Sequence, residues 1–121
     1  MSRLFKLLFL SSGLYAAGCY YDVEEELYPK TDCDTSAVTY SATVQPIISN
    51  RCYVCHGAGI NLGNVTLEGY DNIKNYALNG DLLGAIKHQP GYSPMPQSGG
   101  MLPDCEIQKI EAWIAEGALQ N

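Results

Sequence analysis

Cys52, Cys55 and His56 stand together in Cys52-Tyr53-Val54-Cys55-His56, a C-x-x-C-H pentapeptide. Two thiols separated by two residues can each add across one vinyl group of a haem to give a thioether, and the next side chain then presents an imidazole to the iron. Spacing decides the match, because a peptide pinned at Cys52 and Cys55 aims the ring of residue 56 at the metal, and a histidine one place later would miss it. The rival for such a pair is zinc, which usually needs a second, similarly spaced pair. Here Cys33, His88 and Cys105 are scattered singly. No second C-x-x-C-H occurs, which argues against a multi-haem wire or a di-haem peroxidase. The residues predict one covalent haem c, held by Cys52 and Cys55 with His56 on the iron.

A helix must deliver the chain into Cys52. Thr43 is the expected N-cap, since it puts Pro46 in the first turn, where a missing N–H costs nothing. Ser41 as cap would move Pro46 inward and remove an intrahelical bond. Val44, Ile47 and Ile48 then share one face at helical spacing, as plain core or as a wall against the haem. After His56, the glycines of residues 57–63 predict a loop. A short helix is expected from Tyr70 to Leu78, stopped by Asn79-Gly80, and a second one capped by Asp81 carries Leu82, Leu83, Ala85 and Ile86. Residues 89–103 hold four prolines and three glycines and read as an extended loop containing Met95. The last helix follows Asp104 as N-cap, with Ile107, Ile110, Trp113 and Ile114 on one face and Gly117 as its stop. That face is wide enough to pack across the first helix.

The front of the chain predicts export. Arg3 and Lys6 precede an apolar stretch, Leu4 to Leu10, that is too short to cross a bilayer and runs into Ala16-Ala17-Gly18-Cys19. This resembles a bacterial lipoprotein box, although Ala16 stands where the box prefers leucine. The resemblance implies a signal peptide over residues 1–18 and a lipidated Cys19 that anchors the mature chain to a membrane. The rival is an ordinary cleaved signal with Cys19 incidental. Export suits haem c, which is attached outside the cytoplasm. Residues 19–37 are rich in Asp and Glu without sustained periodicity and read as an acidic tether, leaving 38–121 as one domain. The charge of that segment is also weakly similar to the acidic export signal of some outer-membrane lipoproteins.

The chain has five cysteines. With Cys19 on lipid and Cys52 and Cys55 on haem, Cys33 and Cys105 are left, and in an oxidising exterior two leftover cysteines usually bridge. The alternative is two separately buried thiols. Thirteen acidic residues against seven basic ones give a net charge of −6, and loss of Arg3 and Lys6 with the signal makes the mature chain more acidic still. This argues against nucleic acid as partner and favours a redox partner with a basic docking patch, or serves solubility alone.

Taken in order, a helix, C-x-x-C-H, shorter helices, a proline-flanked methionine and an amphipathic helix with an aromatic resemble a mono-haem class I cytochrome c. Val44-Gln45-Pro46-Ile47-Ile48, His88-Gln89-Pro90-Gly91-Tyr92-Ser93-Pro94-Met95-Pro96 and Trp113-Ile114-Ala115-Glu116-Gly117-Ala118 are similar to the small lipoprotein cytochromes c of bacteria. The resemblance implies an all-α fold of three to five short helices around one covalent haem, with His56 proximal and a methionine sulfur opposite. Met95, held stiffly between Pro94 and Pro96, is the expected sixth ligand. Met101 after Gly99-Gly100 sits on looser backbone, and His88 is the competing ligand. Tyr70, Tyr76 and Tyr92 are expected as packing or propionate partners.

With both axial positions filled, such a protein passes electrons rather than transforming a substrate, so no enzyme activity is expected. It would sit in the periplasm or on the outer membrane. Two other classes remain open from sequence: a haem-based small-ligand sensor or enzyme with a displaceable sixth ligand, and an interaction module with zinc or no metal at Cys52 and Cys55. Binding of carbon monoxide separates the first from an electron carrier, and haem staining after denaturation excludes the second.

Overall fold

A computed structural model describes residues 33–97 and 99–121. The expected signal segment 1–18, the lipidation residue Cys19 and the tether as far as residue 32 lie outside the described residues. Among the described residues the fold is all-α, with four α-helices and no strand: α1 (Gln45–His56), α2 (Tyr70–Leu78), α3 (Asp81–Ile86) and α4 (Asp104–Ala115). A π-helical turn, Tyr40–Val44, leads directly into α1, and a 3-10 turn, Leu62–Asn64, lies between α1 and α2. None of these helices is long and apolar enough to cross a membrane.

The first helical segment begins earlier than the sequence predicts. Thr39, not Thr43, is the cap, and its hydroxyl accepts the Ala42 N–H at 3.2 Å. The π-turn explains the difference. Pro46 has no N–H to give the carbonyl four residues back, and its ring crowds that carbonyl in a regular α-helix. A turn with i→i+5 bonds just ahead of the proline widens the ladder there: the Val44 N–H reaches the Thr39 carbonyl at 3.1 Å, and the Gln45 N–H reaches Tyr40. Pro46 then falls in the first turn of α1, as expected.

Helix α2 has the predicted bounds, ending at Asn79 as C-cap. Two caps shift by one residue. Gly80, at φ 90°, caps α3 and Asp81 occupies its first turn, while Pro103 caps α4 and Asp104 occupies its first turn. Neither carboxylate makes a side-chain cap bond. Both sit where negative charge complements the positive end of the helix dipole. Gly117, at φ 94°, follows α4 and turns the chain so that the Ala118 N–H meets the Trp113 carbonyl at 2.9 Å.

The core gathers one face from each element. Val44 and Ile48 from the first segment, Ile73 and Ala77 from α2, Leu82 and Ile86 from α3, and Ile107, Ile110 and Trp113 from α4 are buried. Full burial of each large side chain contributes about 1.5–3 kcal/mol. Ile47 and Ile114 pack against this cluster from its rim. The aromatic face of α4 meets the π-turn rather than the body of α1: the Tyr40 and Trp113 rings lie 5.9 Å apart, and Tyr70 closes edge-on to Tyr40 at 5.1 Å. The Trp113 indole N–H donates to the Leu119 carbonyl at 2.8 Å, so its one polar atom is satisfied inside the core. Helix α4 is further tied to its neighbours by a two-pronged Arg51–Glu106 pair, at 3.0 and 2.8 Å, and by a Lys87–Glu111 pair. Cys33 and Cys105 form a disulfide with their Cα atoms 5.4 Å apart.

Candidate functional site

Helix α1 places the C-x-x-C-H residues on its final turns, and His56 is its last residue. A separation of three or four positions brings Cys52, Cys55 and His56 onto neighbouring ridges of one helix end. Cys52 and Cys55 are half-buried and unbridged. Burial pushes the Cys52 thiol up to about 11, against a downward pull from Arg51 next to it. At neutral pH Cys52 is therefore a protonated, uncharged thiol. Gly57 turns out of the helix at a close approach that suits glycine, since a Cβ there would stand 2.8 Å from the Tyr53 carbonyl oxygen. The Ala58 N–H beyond it donates to the Glu68 carboxylate at 2.8 Å, which secures the loop leaving the site.

His56 is only 9% exposed, and its Nδ1 lies 3.2 Å from the Val65 carbonyl. A carbonyl only accepts, so Nδ1 is the donor here, and in the neutral ring this tautomer leaves the lone pair on Nε2. A metal-ligating histidine is oriented in this way, by a backbone acceptor on the nitrogen that does not bind. The loop is drawn in to make this bond, and the Leu67 N–H returns to the His56 carbonyl at 2.8 Å.

Met95 is half-buried and Met101 is 50% exposed. Both main-chain groups of Met95 are engaged: its N–H donates to the Ala85 carbonyl at 3.0 Å, and its carbonyl accepts from His88 Nε2 at 3.0 Å. His88 thus points one ring nitrogen at the backbone of the methionine with which it was expected to compete. Of the tyrosines, Tyr70 donates to the Ala118 carbonyl at 2.8 Å and serves packing, while Tyr92 lies against Gly84.

A cavity of about 540 Å³ lies between the segment that follows His56 and α2, lined by five asparagines with Thr66 and Tyr76. None of Cys52, Cys55, His56 or Met95 borders it. Sequence reasoning missed it, although Asn72, Asn75 and Asn79 recur at helical spacing along one side of α2. The chain matches no known protein family, no curated protein and no solved structure.

The donor set still tests which cofactor the residues fit. Among the described residues, no three His, Cys, Asp or Glu side chains gather as a metal nest. What the end of α1 offers is two free thiols and an imidazole with a free Nε2. A half-buried thioether stands on a fixed backbone elsewhere in the domain. That chemistry would suit a haem attached by two thioethers, with a nitrogen and a sulfur available as iron ligands.

Proposed function

We propose that this chain is an exported, lipid-anchored mono-haem c-type cytochrome that carries single electrons between redox partners. The observation that carries the reading is the C-x-x-C-H motif at a helix end, with both thiols unbridged and the His56 ring oriented by Val65 so that Nε2 is free. The order of elements supports a class I cytochrome c-like arrangement: a first helix ending in the motif, two short helices, the Met95 loop, and a last helix carrying Trp113.

In this reading Cys52 and Cys55 would hold the cofactor by thioether bonds, and His56 Nε2 and the Met95 sulfur would be its iron ligands. A haem so held supplies a one-electron iron couple. The chain's own part is to keep it. Two covalent links prevent loss, and the Val65 carbonyl fixes the tautomer and plane of His56. The thioether of Met95 favours the ferrous state and raises the potential. With both protein ligands bound, the iron would have no open place for a substrate, which favours a carrier over an enzyme. The excess of acid over base, thirteen residues to seven, favours a partner with a basic patch.

Redox titration of protein made in a host competent for cytochrome maturation tests the function. The expected result is a reversible one-electron transition, with carbon monoxide failing to bind the reduced form on mixing. Fast carbon monoxide binding would favour the sensor or enzyme class instead.

A further inference from the structure

We propose that His88 is a positioning residue for Met95: its ring N–H holds the methionine carbonyl and thereby sets where the thioether can reach. The inference rests on the reading of Met95 as the sixth ligand, and it assigns a role to the residue that the sequence offers as the alternative ligand.

Three contacts build the device. Ala85, in the last turn of α3, offers a carbonyl that accepts the His88 N–H at 3.2 Å and the Met95 N–H at 3.0 Å, while the Lys87 N–H is shared between it and the Leu83 carbonyl. A carbonyl oxygen has two lone pairs, so it can serve His88 and Met95 together. His88 Nε2 then reaches across the loop to the Met95 carbonyl at 3.0 Å, and because that oxygen can only accept, Nε2 is the protonated nitrogen. The main chain of Met95 is gripped from both sides, leaving the side-chain torsions as its main freedom.

The backbone of His88 favours a side-chain role. It lies at φ 51°, in the left-handed region, which glycine adopts at no steric cost. The turn alone would be better served by glycine. What glycine cannot supply is a ring N–H at the reach of the Met95 carbonyl. The far side of the loop is closed by Tyr92, whose ring packs so tightly on α3 that a Cβ at Gly84 would stand 2.5 Å from its ring carbons. Pro94 and Pro96 stiffen the residues on either side of Met95.

The test compares His88→Asn with His88→Gln in the haem-loaded protein. Asparagine tolerates the left-handed turn and is too short to span the loop, so the variant folds and lacks the bond; glutamine restores an amide N–H at longer reach. Three quantities are read: the sulfur-to-iron charge-transfer band of the ferric protein, the rate at which added imidazole displaces the sulfur, and the melting temperature. The expected outcome for His88→Asn is a weakened band and imidazole entry at least tenfold faster, with melting unchanged within a few degrees. His88→Gln recovers most of the band and slows entry again. A His88→Asn protein with the band and the imidazole rate of the unaltered protein would overturn the proposal, as would a His88→Gln protein no better than His88→Asn. These results differ from failure of the function itself, in which the unaltered protein would carry no covalent haem or show no sulfur-to-iron band to begin with.

Discussion

Met95 and Met101 are six residues apart in one irregular segment, and what separates them is how their backbones are held. Met95 donates its N–H to the Ala85 carbonyl and accepts the His88 ring N–H at its own carbonyl, whereas Met101 is 50% exposed and has no main-chain bond of that kind among the described residues. In the ferric protein Met95→Ala is expected to abolish the sulfur-to-iron absorption band and lower the reduction potential, and Met101→Ala to leave both unchanged. Retention of the band in Met95→Ala would reassign the ligand. At this scale Cys52, Cys55 and His56 were legible because their relation is local and set by a spacing of a few residues. The bond from His88 to Met95 was not legible. It depends on a seven-residue loop closing through a left-handed residue, and neither feature leaves a periodic trace. The asparagines of the polar cavity were hidden for a different reason, since amides at helical spacing look like an ordinary solvated face.

Between elements, the one covalent constraint among the described residues is the Cys33–Cys105 bridge, which spans 72 residues of sequence and joins the segment before the π-turn to the first turn of α4. In the chain-entropy model a loop of that size contributes about 4 kcal/mol. The double variant Cys33→Ala with Cys105→Ala should therefore melt on the order of 20 °C lower while keeping its haem, as a thermal scan followed by far-UV circular dichroism would record. A shift of only a degree or two would show that the bridge constrains little. Gly84→Ala probes the contact between α3 and the Met95 loop. Its Cβ would meet the base of the Tyr92 ring at 2.5 Å, so a loss of about 1–3 kcal/mol is expected in denaturant titration. Removing the ring as well, in Tyr92→Ala, should recover part of it. Helix existence was well marked in the sequence, α2 to the residue, because Asn79-Gly80 is a strong stop. Helix starts were less so. Thr39 took the cap expected of Thr43 because a π-turn preceding Pro46 was invisible to α-helical counting, and Asp81 and Asp104 stand one place inside the caps they were expected to supply.

For the molecule as a whole, net charge and the covalent cofactor set the behaviour that partners meet. With a net charge of −6 over the full sequence, electron exchange with a basic redox protein should slow as salt is raised from about 10 to 200 mM, since the Debye length shrinks from about 30 Å to under 10 Å over that range. Stopped-flow mixing would measure it, and an uncharged small-molecule reductant should show little salt dependence. A rate to the basic partner that ignores salt would leave the acidic surface a matter of solubility alone. The all-α architecture was readable from the helical spacing of Val44, Ile48, Ile107, Ile110 and Trp113, yet the route by which α4 packs was not: its aromatic face meets the π-turn, an element the spacing did not predict. The most direct test of the whole account is the intact mass of the purified chain under denaturing conditions, after production in a host competent for cytochrome maturation. One haem retained per polypeptide, and none retained when Cys52 and Cys55 are both changed to alanine, is the predicted result; an unmodified polypeptide mass would contradict it.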